Sequence, residues 1–140
     1  VPTIGILGGT NWSETARYYR LAREIVRERG AGGRPSRIML DWVDDHELEY
    51  LQATGEWDAA AALLVERVSY LREAGADGVV LCGSLIAEVS WRVMQALPIP
   101  VVALHENASR GDVDAALLQV SLRIRNTEAA DPSLLTGRRS

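Results

Sequence analysis

Four short apolar runs constrain this chain more than any other feature, because each ends abruptly in small or polar residues and a helix-length segment separates it from the next. Thr3 to Leu7 stops at Gly8-Gly9, and Ile38-Met39-Leu40 continues through Trp42-Val43 to Asp44-Asp45-His46. Gly78 to Leu81 runs into Cys82-Gly83-Ser84, and Val101 to Leu104 is followed by His105. Runs this short and this continuously apolar fit strands buried on both faces. Strands that alternate with helices build a parallel sheet, since parallel neighbours need a long crossover. The expectation is an α/β fold: a single three-layer domain around a four-stranded parallel sheet.

The intervening segments supply the helices. Asn11 or Ser13 can cap the first, with Glu14 three residues beyond Asn11 as in a capping box. That helix is expected to reach about Arg29, with Thr15, Tyr18, Tyr19, Ala22, Ile25 and Val26 on a buried face and most of its arginines solvated. A short helix from Asp44–His46 to about Gln52 and a longer one from Trp57 to Ala74, closed by Gly75, follow. Another is expected from Ser84 to Ala96, and a last one from about Asp112 to Arg125. The domain is thus expected to span residues 1–125, with polar residues 126–140 as a mobile tail.

Composition narrows the function classes. A net charge of -4 and a pI near 5.2, without clustered basic residues, argue against nucleic acid as a partner. A lone cysteine excludes an intrachain disulfide, and no set of residues has zinc-ligand spacing. No run is long enough to span a bilayer and no leader pattern opens the sequence, so a cytoplasmic protein without membrane attachment is expected.

In a parallel sheet the C-terminal ends of all strands lie on one edge, where open α/β sheets bind ligands. The loops expected there are Gly8 to Trp12, Asp44 to His46, Cys82 to Ser84 and His105 to Ala108. Cys82, between a strand and a helix start, is placed where unpaired N–H groups and the helix dipole favour a thiolate; it can equally be a small core hydrophobe. Gly9, Thr10 and Asn11 offer donors for a carboxylate or phosphate, or simply make a tight turn. The glycine spacing of Gly5-Ile6-Leu7-Gly8-Gly9 is not that of a dinucleotide fingerprint. Asp44, Asp45, His46, His105 and Glu106 are candidate general acids or bases, or caps. Trp12 can wall a pocket or plug the edge, whereas Trp42, Trp57 and Trp91 are expected to be packing residues.

The motifs resemble a known family. Ile4-Gly-Ile-Leu-Gly-Gly-Thr-Asn-Trp12-Ser-Glu14-Thr-Ala-Arg-Tyr18-Tyr19 is similar to the opening of the aspartate/glutamate racemases. Gly55-Glu-Trp57-Asp-Ala-Ala, Ala74-Gly-Ala-Asp77-Gly-Val-Val-Leu-Cys82 and Pro98-Ile-Pro-Val-Val-Ala-Leu-His105 extend the likeness, which covers about Thr3 to Ala108. The resemblance implies one half of a two-domain racemase and cofactor-independent amino-acid isomerisation, in which two cysteines on opposite faces of an α-carbon exchange its proton. It implies Cys82 as catalytic and Gly9, Thr10, Asn11, Trp12, Ser84, Asp44 and His105 around a small carboxylate substrate, with no cofactor and no metal.

Two departures matter. The family's Thr-Asn-Thr after the cysteine is replaced by Gly83-Ser84-Leu85, and a second domain bearing the second cysteine is missing from the sequence. Three readings follow: a homodimer that pairs two Cys82 thiols, a one-thiol isomerase or decarboxylase-type enzyme, or a degenerate ligand-binding or partner module.

Overall fold

A computed structural model describes residues 2–8, 12–29, 37–43, 45–83 and 89–130. In chain order these form β1 (Thr3–Gly8), α1 (Trp12–Arg29), β2 (Arg37–Trp42), α2 (Asp45–Ala53), α3 (Trp57–Glu73), β3 (Gly78–Cys82), α4 (Ser90–Ala96), β4 (Val101–Leu104) and α5 (Arg110–Ala130). The four strands pair in parallel in the order β2-β1-β3-β4. The expected three-layer α/β domain is the one observed.

Strand alternation sorts the core into two layers. Ile4, Ile6, Val80, Cys82, Val102 and Leu104 face α1 and α5, where they meet Tyr18, Ala22, Ile25, Val113, Leu117, Val120 and Ile124. Leu7, Val79, Leu81 and Val101 face the other way, onto Leu48 of α2, Leu64, Val68 and Leu71 of α3, and Val93 of α4. The central strands β1 and β3 are buried along their whole length, whereas the edge strand β2 is half-exposed. The start of β1 is tied to the start of β3 twice over: the Asp77 N–H donates to the Thr3 carbonyl at 2.7 Å, and the Asp77 carboxylate accepts the Thr3 N–H at 3.0 Å.

The helix ends differ from expectation in three places. Since α1 begins at Trp12, Ser13 lies inside the helix and cannot be its cap; Asn11 is outside the described residues. Of the helix expected from Ser84 to Ala96, α4 starts only at Ser90, capped by Val89 with φ -120° and ψ 0° and its side chain buried in the second layer; residues 84–88 lie outside the described residues. Finally, α5 runs past Arg125 to Ala130: nothing in Asn126-Thr127-Glu128 breaks a helix, two alanines extend it, and the Thr127 hydroxyl donates to the Arg123 carbonyl. Residues 131–140 of the expected tail lie outside the described residues.

Candidate functional site

The chain leaves β1 toward β2 on one side and, later, joins β3 on the other, so the sheet order reverses between β1 and β3. At such a reversal the loops diverge and open a crevice at the strands' C-terminal ends. There the register sets one row across the sheet: Trp42 opposite Gly8, Gly8 opposite Cys82, and Cys82 opposite Leu104. Residues paired in register point to the same face, so the whole row is directed at the layer of α1 and α5.

Gly8 is the hinge of that row. A Cβ built on it would stand 2.0 Å from Thr15 Oγ1 and 2.6 Å from Thr15 Cβ, so the first turns of α1 press directly on β1 backbone. Thr15 is itself buried. Beyond Cys82, Gly83 turns the chain with φ 119°, a conformation that side chains rarely adopt, while its N–H continues the ladder to the Leu104 carbonyl at 3.3 Å.

Cys82 therefore lies under α1 instead of standing in an open loop. It is 1% exposed, packs in the same layer as Tyr18, Leu104 and Ala108, and its thiol is directed at the Val80 carbonyl at 3.9 Å. Burial, and after it the nearby Glu14 charge, push the thiol up to about 12. The expected thiolate is thus a protonated thiol at neutral pH. Burial of a charge outweighs the backbone donors that strand-to-helix position suggested.

The polar groups closest to this corner come from α1. The Glu14 carboxylate, 11% exposed, accepts the Asn107 N–H at 2.6 Å and a short hydrogen bond from the Tyr18 hydroxyl. That hydroxyl in turn accepts the Ala108 N–H at 3.1 Å, and burial followed by the Glu14 bond pushes Tyr18 up to about 12. Arg17 Nη2 donates to the Ala108 carbonyl at 2.7 Å and lies 3.9 Å from Glu14. Three side chains one helical turn apart thereby hold the loop after β4. Within that loop Asn107 has φ 59°, a left-handed conformation uncommon outside glycine.

The remaining candidates divide. Trp12 stays at the edge, half-exposed, with its ring 4.9 Å from that of Trp42 at 54°. Trp42 is thus no core residue: it ends an edge strand, half-exposed beside the first residue of α1. Trp91 is also exposed, on the outer side of α4 with the Arg92 guanidinium over its ring, while Trp57 packs on the second layer as expected. His105 is bound at the surface. Its Nε2 lies 3.2 Å from Asp112, its Nδ1 2.9 Å from the Glu106 carbonyl, and its side chain is 66% exposed. Asp112 and Ser109 cap α5 reciprocally, side chain to backbone in both directions, and these bonds hold the Asp112 carboxyl below its usual range, with His105 adding to the effect. Glu106 and His46 are exposed. Gly9, Thr10, Asn11, Asp44 and Ser84 lie outside the described residues.

Against known proteins, a solved structure of a proposed Asp/Glu racemase from Yersinia pestis matches with 35% sequence identity and a TM-score of 0.66. The fold is racemase-like. The match covers 75% of this chain and 45% of that protein, so the chain spans less than half the length of its relative. No protein-family model matches the chain.

Sequence reasoning had placed Glu14 only as a cap partner and Tyr18 only as a core aromatic. The available signal was the Tyr18 hydroxyl: a buried tyrosine needs a partner for its O–H, and the residue one turn before it is an acid. Among the described residues no group of three histidines, cysteines or acids is placed to hold a metal, and no helix is long and apolar enough to cross a membrane.

Proposed function

We propose that this chain contributes the proton-delivering half of a racemase-like isomerase, acting without a cofactor at the α-carbon of an acidic amino acid or related carboxylate. The supporting observation is the row at the sheet reversal. It sets the single thiol beside Gly8, whose successors Gly9, Thr10 and Asn11 are the candidate carboxylate ligands, in a fold similar to that of a proposed Asp/Glu racemase. Inversion needs one group to remove the α-proton and another to return one from the opposite face. A thiol raised to about 12 suits the second role: its proton passes to the α-carbanion and the sulfur is left as thiolate. The removing base is Cys82 of a second copy: the paired thiols share a single proton, so that one is thiolate and takes the α-proton while the other delivers its own, which makes the working form a homodimer in the cytoplasm.

The test is exchange of the α-proton in heavy water. Wild-type chain incubated with either enantiomer of aspartate or glutamate should place deuterium on the α-carbon, and Cys82→Ser should lower the rate by about 10²-fold or more. A folded wild-type chain that exchanges none of these substrates contradicts the enzymatic reading. It then leaves a second reading that the 1% exposure of Cys82 favours: a ligand-binding module in which the cysteine is a core residue. That reading predicts unchanged carboxylate affinity in Cys82→Ala.

A further inference from the structure

If Cys82 carries a proton to a substrate, something must uncover it, because it is 1% exposed within the layer that α1 packs on. That loop, His105 to Ser109, inserts Ala108 into the layer that contains Cys82 and Tyr18. At Ser109 the backbone is tied to α5, through the Asp112 carboxylate and the Val113 N–H, whereas the residues before it are fastened to α1. The Asn107 N–H goes to Glu14, the Ala108 N–H to Tyr18 and the Ala108 carbonyl to Arg17, all on the first turns of α1 and all 90 or more residues away in sequence. Within this set Glu14 is the keystone, since its carboxylate holds both the loop and the hydroxyl that holds the loop.

We propose that Glu14 is the positioning residue of the site: it latches the loop after β4 onto α1, and Cys82 reacts only when that latch opens. This rests on the reading of Cys82 as the proton carrier, but the latch itself is a property of the loop. Asn107 marks the turn of the loop: it holds φ 59°, a left-handed conformation that asparagine adopts more readily than other side-chain-bearing residues, and its N–H is bonded to Glu14. Opening the latch frees Asn107 and draws Ala108 out of the thiol's layer. Glu14 also adds to the burial that keeps the thiol protonated while the latch is shut. The described elements bring Glu14, Arg17 and Tyr18 to this corner from α1, His105 and Glu106 from the loop, and Asp112 from α5. The charge that acts on the thiol is that of Glu14, while Arg17 is engaged with the Ala108 carbonyl and His105 with Asp112.

Because Cys82 is the chain's only cysteine, alkylation by iodoacetamide reads its accessibility and protonation directly, with no turnover required. Glu14→Ala removes latch and charge together, and should speed alkylation at pH 8 by about tenfold or more through local opening. Glu14→Gln keeps an acceptor oxygen for Asn107 but removes the charge; its alkylation should stay slow at pH 8 relative to Glu14→Ala, with a pH midpoint below that of wild type. Glu24→Ala is the control, since Glu24 binds Arg110 of α5 and does not touch the loop; its rate should match wild type. The proposal is overturned if Glu14→Ala gains no more than Glu24→Ala. Should Glu14→Ala fail to fold, Tyr18→Phe, which removes the hydroxyl bonded to the Ala108 N–H, decides by the same alkylation rate: a gain over Glu24→Ala supports the latch, and a rate equal to it overturns the latch. Alkylation that follows the latch while heavy-water exchange is absent would keep the latch and discard the isomerase. The reverse would keep the isomerase and discard the latch.

Discussion

Two residues of one row, Cys82 and Trp42, stand on either side of Gly8 and face the same helical layer, yet one is sealed and the other is open. The difference is in what α1 and its neighbours bring to each end. The Cys82 end carries Glu14, Arg17 and Tyr18 with the β4 loop bound to them; at the Trp42 end Trp12 stands beside it and both rings are half-exposed. Edge position alone therefore does not make a reactive site. The same strand register can end in a buried acid or in an exposed aromatic platform, and the long-range bonds of one helix decide which.

The sealed end should dominate the pH dependence of stability. The folded chain holds the Cys82 proton up to about 12, whereas the unfolded thiol releases it near 9.0, so the folded state binds more protons between those values. Stability is then fully present below pH 9 and is lost as pH rises toward 12, by roughly 3 kcal/mol at pH 11 for this one group. Tyr18 adds loss in the same direction above its ordinary value of 10.0. Denaturant melts from pH 8 to 11 check this; stability that stays level, or a slope between pH 9 and 10 that survives in Cys82→Ala, would place the thiol in the open class with Trp42.

Gly8 separates the two ends, and Gly8→Ala should cost about 2–3 kcal/mol, because the new methyl group meets Thr15 down to its Cβ and cannot be relieved by a side-chain rotation alone. Thermal melting measures it. A cost within about 0.5 kcal/mol, the ordinary range for a surface change, would mean that α1 does not press on the row.

At the open end the effect should be smallest. Trp12→Ala removes one ring of a half-exposed tilted pair and should cost about 0.5–1 kcal/mol, with the change in Trp42 emission as its optical signature. A cost above about 2 kcal/mol would show that the pair is packed like a core and that the contrast with Cys82 is false.

How far the sequence carries this account follows the range of the interactions involved. The strands, their parallel pairing and the edge on which Cys82 sits were legible, because apolar runs and helix-length spacing are local signals. Exposure of Trp42 was not, since an aromatic at the end of a strand is buried or open according to what the neighbouring helix places over it. The protonated state of Cys82 was missed for a similar reason: strand-to-helix position favours a thiolate locally, and the burial that overrides it comes from residues far away in the chain. Glu14 shows the limit most clearly. Its spacing from Asn11 suggests a cap, while its bond to Asn107 joins residues 93 apart, which no local pattern encodes.

The central claim is that the thiol is held protonated in a sealed compartment, and labelling the single cysteine with ¹³C at Cβ tests it most directly. The Cβ resonance of the folded chain, followed by NMR as pH rises, should show no titration through pH 9 and a midpoint near 12, or unfolding before it is reached. A folded-state midpoint at or below that of a free cysteine, about 8.5, would contradict the account.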